Sequence, residues 1–306
     1  MTRTVEGTDF ASAAMMRLVA AGLSRQGINI SVPVSSTAHV PLLAKRDVLA
    51  EVLVCHGPLA ILSIADVAKS MANEPVLQAL TSAEDISDLM DRWHRLERFS
   101  HGRHRIVAEQ LGEGSFRLTH QARDDGPQPT LAESLLVLGL LTILSEIIGS
   151  TDVTLTTAAG ELLRRNADWQ GPNLTNWTGS VILKTTGKPK LARETVECLE
   201  LDPVSNLRRR LAADPVRRWT VASLAAEAGA SPRTLQRRLT EKSVSFSRLV
   251  KDARIEVAAR HLCKANGPAL AEIGFIAGFA DQAHFARTFS RSVGTTPSSF
   301  RADFGR

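Results

Sequence analysis

A two-helix pattern occurs twice in the last hundred residues, fifty positions apart, and it restricts the fold of this region more than any other feature. The first copy, WTVASLAAEAGASPRTLQRRLTE, predicts helices over 221–228 and 232–241 with a turn between them. Ala225 lets the two helices approach, Gly229 permits a left-handed turn, and Leu235 faces the core. Ser231 is placed to cap the second helix, and Pro232 suits its first position because no intrahelical bond is lost there. The outward face then carries Arg233, Gln236 and Arg237. Arginine and glutamine bond guanine and adenine edges, and a helix of this size fits a major groove. The plainer alternative is a solvated polar face on a helical hairpin.

The second copy, LAEIGFIAGFADQAHFARTFSRS, has Gly278 at the turn, Asp281 as cap and a second reading helix over 282–290. Arg287 stands fifty positions after Arg237, so one design is used twice. Between the copies, apolar residues at helical spacing (Leu249, Ala253, Val257, Leu262) predict a connecting helix over about 246–265, ended by Asn266-Gly267-Pro268. Such a helix is roughly 30 Å long, close to the 34 Å of one DNA turn.

Charge divides along the same line. Residues 203–306 hold 18 Lys and Arg against 8 Asp and Glu, a net +10, whereas the first 202 residues hold 19 against 24, a net −5. Only the C-terminal third is built to approach a polyanion, because Lys and Arg on phosphates release counterions.

This segment resembles the DNA-binding domain of the AraC family of bacterial regulators. The stretch GFADQAHFARTFSRSVGTTPSSFR, residues 278–301, carries the resemblance most specifically. It implies an all-α domain with two reading helices, the first making most base contacts. The predicted DNA-binding residues are Ser231, Arg233, Thr234, Gln236 and Arg237 of the first unit and Gln282, His284 and Arg287 of the second. Phe279, Phe285 and Phe289 match core positions. Two residues depart from the family pattern. Gly274 stands where Ala is usual, at a cost of up to about 1 kcal/mol inside a helix, and Ala283 offers no hydrogen bond.

The preceding residues read as α+β. Helices are expected over 11–25, 58–71 and 82–98, the last opened by a Ser82–Asp85 capping box. Residues 105–111 and 115–121 alternate about Gly112-Glu113-Gly114 and predict a β-hairpin. Thr130 and Glu133 cap an apolar helix that runs to Ile148, too short to cross a bilayer and therefore a buried core helix. Short strands are expected at 153–157 and 181–185. Over residues 41–203 this order resembles the effector domain of the AraC subgroup typified by an ornithine-utilisation regulator, often labelled arabinose-binding; the helical first hundred residues exclude the arabinose regulator's own barrel.

Enzyme signatures are absent from the sequence: it has no nucleophile elbow, P-loop or dinucleotide fingerprint. The three cysteines, Cys55, Cys198 and Cys263, are expected as reduced, mostly buried thiols, and none has the Pro-Cys-His setting of a methyl-accepting repair module. His101 and His104 sit among Arg98, Arg103 and Arg105, which would repel a metal, so a solvated loop or strand edge is expected. The sequence implies no metal and no cofactor.

The expected organisation is an effector-sensing or dimerisation domain over 1–202 and a DNA-binding domain over 203–306, with helix-turn-helix units at about 220–241 and 270–291 and the joint near 202–211. The expected partners are duplex DNA, a small-molecule effector, a second copy in a homodimer, and RNA polymerase if the protein activates. No membrane is expected, and the first ten residues lack a signal-peptide pattern, which implies the cytoplasm. The alternatives are a ligand-independent dimeric regulator and an enzyme with a tethered DNA-binding module.

Overall fold

The computed structural model describes residues 10–33, 39–71, 75–100, 103–171, 174, 177–186, 203–264, 267–293 and 295–305. The chain forms two compact units, residues 1–191 and 192–306. The first is α+β. It opens with β1 (Phe10–Ser12), α1 (Ala13–Arg25) and β2 (His39–Pro41), the two strands pairing antiparallel. Next come α2 (Leu42–Ile64), a 3-10 turn at Ala65–Ser70, α3 (Pro75–Thr81) and α4 (Ile86–Ser100). The hairpin of β3 (His104–Gly112) and β4 (Ser115–Ala122) leads through α5 (Leu131–Ile147) to β5 (Thr151–Thr157), β6 (Leu162–Arg165), β7 (Asp168–Trp169) and β8 (Ser180–Thr186). These six strands make one antiparallel sheet in the order β3-β4-β8-β5-β6-β7.

Two helix expectations need correction. The helix expected from Pro58 begins sixteen residues earlier, at Leu42, and is kinked at Gly57, whose φ of 77° and ψ of 177° are non-helical. Pro58 lacks an N–H and its ring crowds the preceding turn, so the break falls beside it. By length and composition alone the stretch Leu42–Ser70 would span a membrane. Its kink, its buried Lys45 and its packing against α5 make it a core element. The helix expected over 82–98 begins later, as α4 at Ile86, with a separate short helix, α3, ending just before Ser82. Ser82 closes α3, its hydroxyl donating to the Gln78 carbonyl, while Asp85 accepts the Asp88 N–H and Asp88 accepts the Glu84 N–H. The Ser82–Asp85 capping box is therefore not formed, and α4 is capped by Asp85 instead.

α5 is the centre of this unit. Residues 132–145 are all buried, enclosed by α2, β4, β5 and the 3-10 turn. Its N-terminus is the expected capping box: Thr130 accepts the Glu133 N–H at 3.2 Å, and Glu133 accepts the Thr130 N–H at 3.0 Å. The fully buried Glu133 also meets Lys45 at 3.1 Å and Arg46 at 3.2 Å. Burial alone would raise its pKa, but Lys45, the Thr130 N–H and Arg46 outweigh burial and hold it at about 2. At the other end of α5, Arg164 clamps Glu146 at 2.6 Å and lies 4.2 Å over the Trp169 ring, tying β6 and β7 to the helix.

The histidine expectation is also corrected. His104 is buried rather than solvated, bonded to the Pro127 carbonyl at 3.1 Å and edge-on to His120 at 5.4 Å. His101 lies outside the described residues. Among the described residues no group of three His, Cys, Asp or Glu could hold a metal. Cys55 and Cys263 are exposed, contrary to expectation, each on an unburied helix side or end; Cys198 lies outside the described residues.

The second unit is all-α: α6 (Pro203–Ala213), α7 (Val221–Glu227), α8 (Pro232–Glu241), α9 (Phe246–Leu262), α10 (Leu270–Ile276), α11 (Gln282–Val293) and α12 (Pro297–Phe304). The expected joint at 202–211 is instead α6, whose Leu207 and Leu211 are core residues beside Leu224, Leu235 and Leu249. Its basic run therefore belongs to the second unit, held by an apolar stripe. The connecting helix ends at Leu262, so its 17 residues span about 25 Å rather than 30.

Four buried groups shape how the first unit responds to acid. Burial, and then the positive neighbours His104 and Lys45, push His120 down to about 3; burial also lowers His104. Burial raises Glu97 to about 7, although Ile106 and Trp93 donate to it. From pH 6.5 to 4.5 the unfolded chain protonates both histidines, while the folded unit keeps His120 neutral and binds a proton at His104 less readily, which lowers stability. Glu97 opposes this, because the folded unit retains a proton that the unfolded chain releases. Below 4.5 that opposition ends, and Glu133 adds its own loss until about pH 2. Stability is predicted to fall gently to pH 4.5 and steeply below, by about 1.4 kcal/mol per pH unit for each excess proton on the unfolded chain. Thermal denaturation of the full chain across this range measures the slope, and a midpoint that holds steady below pH 4.5 would contradict the assignment.

Candidate nucleic-acid interface

The reading face of α8 follows from which residues its core claims. Leu235 and Leu239 are 1% and 3% exposed. With that stripe held down, Arg233, Gln236 and Arg237 project outward together at spacings of three and four, as expected. Ser231 caps the helix through the Thr234 N–H at 3.1 Å and its hydroxyl lies 2.9 Å from that of Thr234. Both hydroxyls therefore sit at the positive end of the helix, where phosphate oxygens bind. Arg237 reaches Glu241 only loosely, at 3.7 Å, and its side chain is 72% exposed. Such a pair contributes little and frees the guanidinium for another acceptor.

In α11 the core claims Phe285 and Phe289, part of an aromatic row from Phe279 to Phe304 with centroid spacings of 4.7–5.8 Å. Gln282 and Arg287 are exposed. His284 differs from expectation in being half-buried, its ring edge-on to Phe279 at 5.5 Å. Asp281 caps the helix through the His284 N–H at 2.7 Å. The backbone and ring of His284 thus fix the start of α11 as well as facing outward. Sequence reasoning passed over Arg291 and Arg238, exposed cations on the two reading helices, although Arg291 lies one turn beyond Arg287. It also passed over Ser245, which caps α9 through the Arg248 N–H beside that exposed arginine.

The two helix-turn-helix motifs of the second unit share one support. α9 places Leu249 and Ala253 in the core of the first and also packs on α10 and α12 of the second. A second tie is made at Gly278. Its φ is 78°, and a Cβ there would fall onto the Pro215 carbonyl oxygen and within 3.1 Å of the buried Arg254 Nε. The turn of the second helix-turn-helix motif therefore rests on the segment that enters the first motif. That segment is itself pinned: Trp219 donates to the Asp214 carbonyl at 2.8 Å, and Arg217 lies over the Trp219 ring and pairs with Glu227.

Residues 224–303, from α7 into α12, match the helix-turn-helix domain family. The chain is 28% identical over 116 residues to the transcriptional activator AggR of Escherichia coli, covering 37% of this chain and 43% of that protein. It is 33% identical over 88 residues to the urease operon transcriptional activator of Escherichia coli, 29% of each chain. It is 31% identical over 98 residues to the ornithine utilization regulator of Pseudomonas aeruginosa, 32% of this chain and 29% of that one. The chain thus spans less than half the length of these relatives, a share the size of the second unit. That unit is a helix-turn-helix domain of the AraC type.

The two turn glycines separate backbone strain from close contact. Gly229 has φ of 62° and open space about it, so Gly229→Ala is predicted to cost about 1 kcal/mol, the strain of a left-handed alanine. Gly278→Ala is predicted to cost more than about 3 kcal/mol, because backbone must also move. Urea denaturation of the two variants tests the contact, and equal losses would refute it.

Proposed function

We propose that this chain is a sequence-specific DNA-binding transcription regulator whose α8 and α11 enter the major groove of duplex DNA. The observation that carries the reading is the pair of outward faces, Arg233, Gln236 and Arg237 on α8, which shares a core with α9, and Gln282 and Arg287 on α11, which packs on α10 and α12, themselves packed on α9. Ser231, Thr234 and the backbone at the start of α8 would take phosphates and set its register. His284 is assigned to positioning α11 and, by its outer edge, to the groove.

The first unit in this reading senses a small molecule, pairs with a second copy, or does both. Pairing would hold two basic units on adjacent half-sites and raise avidity through effective concentration. A ligand would act by binding one arrangement of the pair more tightly than the other. The reading places the protein in the cytoplasm with the chromosome, with RNA polymerase as a further partner if it activates, and requires no catalytic step.

Genomic duplex fragments enriched by the full chain provide the test. Arg237→Ala is predicted to weaken binding to an enriched fragment by about 1–3 kcal/mol and to relax preference at one base position, while binding to mixed DNA changes little. A uniform loss on all sequences with a smaller salt slope would make Arg237 a phosphate contact. Failure of the unmodified chain to enrich any sequence as salt is raised would sink the regulator reading.

A further inference from the structure

A cleft of about 450 Å³ opens in the first unit between the start of α4, the β3–β4 turn, the end of β8 and the residue just before β5. That volume is in the range of small-molecule sites, roughly 300–1,000 Å³. Asp85 from the segment before α4 and Glu113 from the β3–β4 turn both line it, together with Gln110, Ser150, Thr185 and the apolar Phe116. No Lys, Arg or His is among its lining residues.

Three observations give the cleft a chemistry. Ser150, one of the lining residues, is 8% exposed, and its Oγ is buried without a hydrogen-bond partner. A buried hydroxyl left unbonded is costly, so a ligand atom that bonds it recovers that cost. The two carboxylates face one cleft without a lining cation, an arrangement that favours a positively charged guest. Their positions are also fixed. Asp85 is held by the Asp88 N–H at 2.8 Å. The turn carrying Glu113 is locked where the Gly114 carbonyl accepts the Thr185 N–H at 2.8 Å, and a Cβ on Gly114 would fall onto the Thr185 carbonyl oxygen.

A metal ion suits this cleft poorly. Two carboxylates on separate segments fall short of the six to eight oxygens of a calcium site, and no third His, Cys, Asp or Glu joins them among the described residues. We propose that the cleft binds a small organic amine, its ammonium group held by Asp85 and Glu113, a hydroxyl or second amine group meeting Ser150, and its carbon skeleton lying on Phe116. Its role as the effector rests on the regulator reading above, whereas the binding itself does not.

The test is thermal denaturation of the full chain, without DNA, titrated with putrescine and glucosamine and with their neutral counterparts butanediol and glucose. At least one amine is expected to raise Tm saturably by a few degrees, with no shift from its neutral counterpart. Asp85→Asn keeps the helix cap and Glu113→Gln keeps the shape, so the double variant is expected to fold and to lose the shift. Ser150→Ala removes only an unbonded hydroxyl; it is expected to leave the apo midpoint unchanged or higher and to weaken the amine several-fold. The proposal is overturned if neither amine shifts the midpoint, if the neutral counterpart or magnesium chloride does so equally, or if the shift survives in the double variant. Selection of DNA by the same chain without amine is scored separately, so loss of the cleft and loss of the regulator reading give different results.

Discussion

Burial of one stripe of α9 is the constraint on which the DNA-facing unit depends. Leu249 and Ala253 complete the core beneath α8, and the same helix supports α10 and α12. Each fully buried Leu contributes about 1.5–3 kcal/mol. No pair of α7 and α8 alone would bury enough apolar surface to stand in water, so the reading faces exist because α9 and α6 cover their backs. Gly278 against Pro215 adds a contact that is backbone on backbone, leaving little room for the second turn to drift.

The first unit is organised by a different balance. α5 is apolar nearly all round and buried accordingly, yet its ends are held by charge, Glu133 with Lys45 and Arg46 and Glu146 with Arg164 and Lys69. Such pairs are weak sources of net stability, because desolvation offsets much of the attraction. They are strong constraints on arrangement, because removing one partner strands the other. The helix therefore has one permitted depth in its sheet-and-helix surround. The amine cleft lies beside its C-terminal end, where Ser150 begins the descent into β5.

Much of this was legible in the sequence, and the reasons differ by element. The two helix-turn-helix units could be placed within a residue or two because each boundary has a local chemical cause: Ser231, Pro232, Gly229, Asp281 and Gly278 all act where they stand. The β3–β4 hairpin and the α5 capping box were legible for the same reason. α2 was not, because a glycine at positive φ inside a helical run leaves no periodic trace, and α6 was read as a joint because its basic run masks the apolar stripe of Leu207 and Leu211. Exposure of Cys55 and burial of His104 depend on neighbours far along the chain, which no local pattern encodes. The outward residues of α8 were legible from its two leucines, whereas the half-burial of His284 required knowing where Phe279 would lie.

The central claim is that one α9 holds two reading helices against the same duplex. Hydroxyl-radical footprinting of the full chain on an enriched duplex tests it most directly. The account predicts two protected blocks on one face of the DNA, centred about one helical turn apart, roughly 34 Å. Protection of a single block, unchanged when Arg287 is replaced by Ala, would show that α11 does not read the duplex and would contradict the account.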